Sequence, residues 1–174
     1  FGGVNESNII THPSQSRNTS LTQLLADLNV AEREGIGVDR MVREMIRVGH
    51  QPPVIREIAG PFVRTSLVGD ALDEPWLAWL GEIEPAEESV DVSSLLILRR
   101  LLTDGWVDEE QAVPLIQLPV GETRGAIAKL AHAKVRSHAV MSTVDGTPDG
   151  TPAAWRLGPD ALATLLAFDQ TPDH

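Results

Sequence analysis

The clearest periodicity in the chain runs from Val38 to Ile46. Val38, Met41, Val42, Met45 and Ile46 recur at i, i+3, i+4, i+7 and i+8. That spacing predicts an amphipathic helix with one apolar stripe against a core. Asp39, Arg40, Arg43, Glu44 and Arg47 fall on its outer side. Gly49 stops the helix, and Pro52-Pro53 prevents its continuation. A shorter stripe, Leu21, Leu24, Leu25 and Leu28, predicts a preceding helix capped by Asn18 or Ser20. After the prolines, 54–58 and 62–68 read as strands joined by a Gly60-Pro61 turn. Met45 is expected to be buried against this hairpin.

Residues 70–92 hold eight acidic side chains and no basic one. Trp76, Leu77, Trp79, Leu80 and Ile83 are interleaved at helical spacing. A short amphipathic helix from about residue 73 to 82 is expected, linking two units, with the tryptophans docking one face. From Asp91 the pattern becomes helix, helix, helix, hairpin, helix. Leucine-rich 93–103 ends at Asp104-Gly105, and Asp108 with Gln111 makes a capping-box pattern. Pro114 should shorten or kink that second helix. The third helix covers 122–133. Strands at 139–144 and 153–157 flank a turn-rich loop, Asp145–Pro152. A last helix opens at Gly158-Pro159-Asp160 and should bury Leu162, Leu165 and Leu166.

Composition removes several function classes. The 174 residues contain no cysteine, which excludes disulfides, thiol nucleophiles and cysteine-ligated metal. No apolar run approaches a membrane span and no signal peptide is visible, so a cytoplasmic location is expected. The chain begins with Phe1 and reads as a fragment whose start lies elsewhere. Net charge is -11, which disfavours non-specific coating of DNA. The histidines show no metal-ligand spacing, and no catalytic triad is assembled. Glu109-Glu110 open a helix, where acids favour its dipole.

Three helices followed by a hairpin is the order of a winged helix-turn-helix, in which the third helix enters the major groove. On its helical wheel Thr123, Ala126, Ile127, Leu130 and Lys134 point one way, while Arg124, Gly125, Ala128, Lys129 and His132 cover the opposite side. Gly125 and Ala128 would let a backbone approach; Arg124 and Lys129 supply donors for guanine edges or phosphates. Residues 123–138 are basic and free of acid, with Arg136 at their end. Arg156, beside the wing, adds a further phosphate contact. A winged helix that binds protein instead is the alternative. Separately, Gly35 and Gly37 open the periodic helix, where a phosphate could meet helix amides. A tight packed loop explains the same glycines without a ligand.

Several segments occur together in a fixed order. They are Gly2-Gly3, Ser16-Arg17-Asn18, Leu25 to Leu28, and the run from Glu32 to Met41 around Gly35-Ile36-Gly37. Gly49-x-x-Pro52-Pro53 and Val63-x-x-Ser66-Leu67 follow. Over residues 1–68 this resembles the C-terminal part of the RecG-related bacterial regulators. The resemblance implies an N-terminal AlbA/Schlafen-type DNA-binding domain, a divergent GHKL-type ATPase-like domain and often a winged helix. It also implies that the glycine run corresponds to the second glycine box of the GHKL fold. Thr19 stands where the family usually has proline, and Asp39 follows Val38 where a third glycine would stand. The family's Asp-x-Gly-x-Gly and its magnesium-holding helix are absent from these residues, so ATP and magnesium are expected only in the full-length protein.

The resulting expectation is an α+β chain. Residues 1–69 form the end of a GHKL-like domain, 70–92 an acidic linker helix, and 93–174 a winged helix-turn-helix of about 80 residues. Its expected role is the non-catalytic, regulatory and DNA-binding end of a bacterial transcriptional regulator. Double-stranded DNA is the expected partner, bound weakly and with steep salt sensitivity. The alternative is a protein-interaction or homodimerisation module of an ATPase- or helicase-related protein. An exposed, continuous patch around Arg124, Lys129 and Arg136 would favour DNA; cover by Trp76, Trp79 or acidic side chains of the linker would favour that alternative.

Overall fold

The computed structural model describes residues 2–30, 37–59, 62–144 and 154–169. The two expected N-terminal helices are α1 (Thr19–Asp27) and α2 (Gly37–Arg47). Asn18 caps α1 by accepting from the Leu21 amide at 2.9 Å. The leucine stripe of α1 finds no core, however: no residue of α1 is buried, and Leu21, Leu24 and Leu28 are exposed. Strands β1 (Val54–Ile58) and β2 (Phe62–Ser66) form the expected antiparallel hairpin, with Arg56 opposite Arg64. The Gly60-Pro61 turn lies outside the described residues.

The expected inner face of α2 is narrower than its sequence period. Val42 and Ile46 are buried, whereas Val38, Met41 and Met45 are only half-buried. The helix packs on α4 (Val92–Asp104) and on α3 (Glu74–Gly81). The hairpin residues stay mostly exposed, so Met45 is not sealed beneath them. Periodicity fixes which side of a helix is apolar; it does not choose the surface that covers it.

The helix expected at about 73–82 forms, and its tryptophans dock as expected. α3 starts with Asp73 accepting from the Trp76 amide at 3.0 Å. Trp76 and Trp79 are 1% and 0% exposed, so the helix is a core element rather than a solvated connector. Their rings stack at 5.5 Å, inclined by 18°. The Trp76 indole donates to the Ile46 carbonyl at 2.7 Å, and the Trp79 indole to the Ala161 carbonyl at 3.0 Å. Two buried indoles with both N–H groups satisfied tie α2, α3 and α7 (Pro159–Asp169) together. Of the acids in this segment Glu74, Glu82, Glu84 and Glu87 are exposed, whereas Glu88 is buried.

β3 (Ile83–Glu84) extends the same segment into a three-stranded sheet, pairing with β4 (Lys134–Val135), which pairs with β5 (His138–Ala139). Arg136 and Ser137, both at positive φ, make the two-residue turn between β4 and β5. Positive φ at both central positions matches the right-handed twist of a hairpin.

α4, α5 (Glu109–Ile116) and α6 (Val120–His132) follow the expected order. Asp108 caps α5 through the Gln111 amide at 2.8 Å. Only half of the capping box forms, because the Gln111 side-chain oxygen is buried without a partner. The strand expected at 139–144 is split at buried Val140, whose amide donates to Ala133 and whose carbonyl accepts from Gly158. The downstream part, β6 (Met141–Val144), pairs with β7 (Ala154–Leu157). Between α4 and α5, Val107 exchanges two backbone hydrogen bonds with Trp155 of β7, at 2.9 and 2.8 Å. The loop Asp145–Pro152 lies outside the described residues. In α7 the buried residue is Ala161, with Leu165 and Phe168 packed beside the core; Leu162 and Leu166 are exposed.

The N-terminal segment is bonded to the α5–α6 turn. Gln117, at φ 57°, accepts from the Ile10 amide and donates to the Glu6 carbonyl, each at 2.9 Å. Thr11 donates to the Gln117 carbonyl at 2.7 Å. Glu6 in turn accepts from Arg56 and from the Glu57 amide of β1.

Candidate functional site

The outer face of α6 is as its helical wheel predicts, but Lys134, expected on the inner side, lies beyond the helix end in β4 and is exposed. Thr123, Ile127 and Leu130 are buried, and Arg124, Gly125, Ala128, Lys129 and His132 are exposed. The electrostatics differ from a basic DNA-reading face. Arg124 is held by Glu109 of α5 in a two-pronged pair, Nε to Oε2 at 2.5 Å and Nη2 to Oε1 at 2.9 Å. The guanidinium keeps the Glu109 carboxyl below the usual carboxylate range, mainly through that hydrogen bond. The same contact raises the Arg124 guanidinium further.

Arg136 is engaged as well. Its guanidinium approaches both carboxylate oxygens of Glu82 at 3.3 and 3.4 Å and lies 4.6 Å above the Phe168 ring. A planar guanidinium suits both the bidentate pair and the aromatic face. His132 Nδ1 donates back to the Ala128 carbonyl at 2.6 Å. Arg156, on β7, is exposed and donates weakly to Ser142 across the hairpin at 3.4 Å. Lys129 has no ion pair among the described residues. Its surroundings are acidic: a groove of about 440 Å³ beside it is flanked by Glu87, Glu88, Asp91 and Glu122.

In the expected basic patch Arg124 and Arg136 are therefore paired with carboxylates and Lys129 borders an acidic groove, while Arg156 bonds Ser142. Sequence reasoning identified the outward face and named the linker acids, of which Glu82 is one, as its candidate cover, but missed Glu109. Glu109 lies 15 positions before Arg124, and Glu82 lies 54 before Arg136. No local spacing signals pairs that far apart. Glu109 sits at a helix start, where its effect on the dipole already accounted for it.

Gly37 opens α2, and a Cβ built there would meet no atom within 4 Å. Gly35 lies outside the described residues. Among the described residues no group of three or more His, Cys, Asp and Glu side chains could hold a metal ion. Among them, too, no helix is long and apolar enough to cross a membrane.

With this geometry in place, comparison defines the class of the N-terminal segment. Residues 1–65 match a family described as "Putative ATP-dependent DNA helicase recG C-terminal". Over 93% of its length the chain is similar to the crystal structure of the DIP2311 protein from Corynebacterium diphtheriae, at 28% identity and a TM-score of 0.78. It spans 32% of that protein's chain. No curated protein matches the chain.

Proposed function

We propose that these residues form a non-catalytic, protein-docking portion of a RecG-related ATPase-like protein. In this reading α4, α5, α6 and the β6–β7 hairpin are a winged helix that receives a protein at α6 instead of reading DNA. The winged-helix assignment is supported by element order and by Val107 adding a backbone pair to β7. The observation that carries the docking reading is the double pairing of Arg124 with Glu109 and Arg136 with Glu82. Phosphates approaching α6 would compete with bonded carboxylates and meet the acidic rim beside Lys129. The family's adenine- and magnesium-holding elements are not in this sequence, so ATP chemistry is assigned to the full-length protein, as is any AlbA/Schlafen-type domain.

Fluorescence anisotropy with labelled duplexes at stepped salt tests this. No saturable binding at low salt is expected. Micromolar binding that is lost in the Arg124→Ala/Lys129→Ala double variant would return the transcriptional-regulator reading. That second reading draws on the exposed Lys129 and Arg156 and on the acid-free run 123–138.

A further inference from the structure

We propose that the groove beside α6 seats a basic segment of a partner protein, one that places an aliphatic side chain between flanking lysines or arginines. This rests on the docking reading above and names the chemistry of its partner. The groove runs between α6, the N-terminal end of α4 and the short 3-10 turn Ala86–Ser89. At about 440 Å³ it has room for an anchoring side chain and its neighbours. Leu118 and Ala126 give it an apolar part, and Gly125 leaves the adjoining helix surface open.

Its charge is one-sided. Two of its carboxylates are fixed by Ser94: the hydroxyl donates to Glu88 at 2.5 Å, and the amide donates to Asp91 at 2.9 Å. The other two, Glu87 and Glu122, have no ion pair among the described residues. Fixed acids at the α4 end and unpaired acids on either side oppose a single amine, Lys129. A cationic segment complements that arrangement; a phosphate backbone or an acidic peptide is repelled by it. A second copy of this chain fits poorly, because its net charge is -11 and its Arg124 and Arg136 are already paired.

The probe is a labelled nine-residue peptide alternating lysine and leucine, titrated by anisotropy into the 174-residue chain at stepped salt. Saturable binding that weakens with salt is expected. Gly125→Leu adds bulk without changing charge, at a position where a Cβ meets no atom within 4 Å, so the fold should persist. It should weaken binding about tenfold or more, and Glu122→Lys by a similar factor. Glu74→Lys, on α3, should leave affinity within about twofold of the Gly125 wild type. Equal binding by Gly125→Leu, or equal losses in Glu74→Lys and Glu122→Lys, would mean bulk charge attraction and overturn the groove. Absence of peptide binding together with absence of duplex binding would sink the groove alone. Duplex binding through Arg124 and Lys129 would sink the docking reading itself.

Discussion

Trp76 donates its indole N–H to the backbone carbonyl of Ile46 at 2.7 Å, across 30 positions of sequence. Both residues are almost completely buried. The bond joins the last turn of α2, within the residues that match the family, to α3, which lies beyond them. Trp76→Phe keeps an aromatic ring but leaves the buried carbonyl unpaired. It should cost about 1–3 kcal/mol in chemical denaturation. A loss within the surface range of about half a kcal/mol would show that the bond does not hold α2 to α3.

Ile46 and Met45 are adjacent but should respond differently. Ile46→Ala removes a fully buried side chain and should destabilise by about 2–5 kcal/mol. Met45 is half-buried, so Met45→Ala should cost about 1 kcal/mol or less. The reverse order would restore the hairpin-facing register for α2.

Two glycines make a matched steric test. At Gly158 an added Cβ would lie 2.2 Å from the Ala139 carbonyl oxygen, a backbone atom that cannot swing aside. Gly158→Ala should therefore destabilise by roughly 1–3 kcal/mol or more, separating α7 from β5. At Gly125, exposed within α6, the same substitution has open space and improves helix propensity. It should be neutral or stabilising by melting temperature; a large loss there would misplace the outer face of α6.

The acid range should report the Arg124–Glu109 pair. The Glu109 carboxyl is lowered in the folded chain, so its contribution to stability is present above the ordinary carboxylate range. That contribution is lost as pH falls through the lowered folded value. Glu6, lowered by the Glu57 amide and by Arg56, has the same sign. A carboxyl-detected NMR titration should give Glu109 a midpoint below the usual value, and Arg124→Ala should return it to normal. An unchanged midpoint in that variant would mean that the pair does not persist in solution.

Isothermal calorimetry with ATP and magnesium should detect no tight binding by these 174 residues. The expectation follows from the missing adenine and magnesium elements of the GHKL pattern. Micromolar affinity would mean that the Gly35-Ile36-Gly37 region suffices to hold a nucleotide.

Local rules made most elements legible before the structure. Asn18 and Asp108 cap their helices as expected, and the hairpin expected over 54–58 and 62–68 pairs over 54–66; Asp73 and Asp91 cap α3 and α4 at positions where no cap is predicted. What stayed hidden was long-range. The interleaved tryptophans showed that the acid-rich helix docks one face, but not that Trp76 and Trp79 reach α2 and α7 through their indole N–H groups. The leucines of α1 read as a buried stripe but lie exposed, since a period marks an apolar face without supplying its cover. The face of α6 was legible, but its counter-charge Glu109 was not, because Glu109 reaches it only after folding.

The most direct test of the account is duplex affinity after those counter-charges are removed. Glu82→Gln/Glu109→Gln frees both arginines while keeping side-chain size, and Glu74→Gln/Glu110→Gln changes net charge equally without touching either pair. At low salt, anisotropy on a labelled duplex should show no saturable binding by the parent chain or the control. The Glu82/Glu109 variant should gain at least about tenfold in affinity, as expected when two guanidiniums become available to phosphate. Tight duplex binding by the parent chain, unchanged by releasing the arginines, would contradict the claim that carboxylates turn α6 away from DNA.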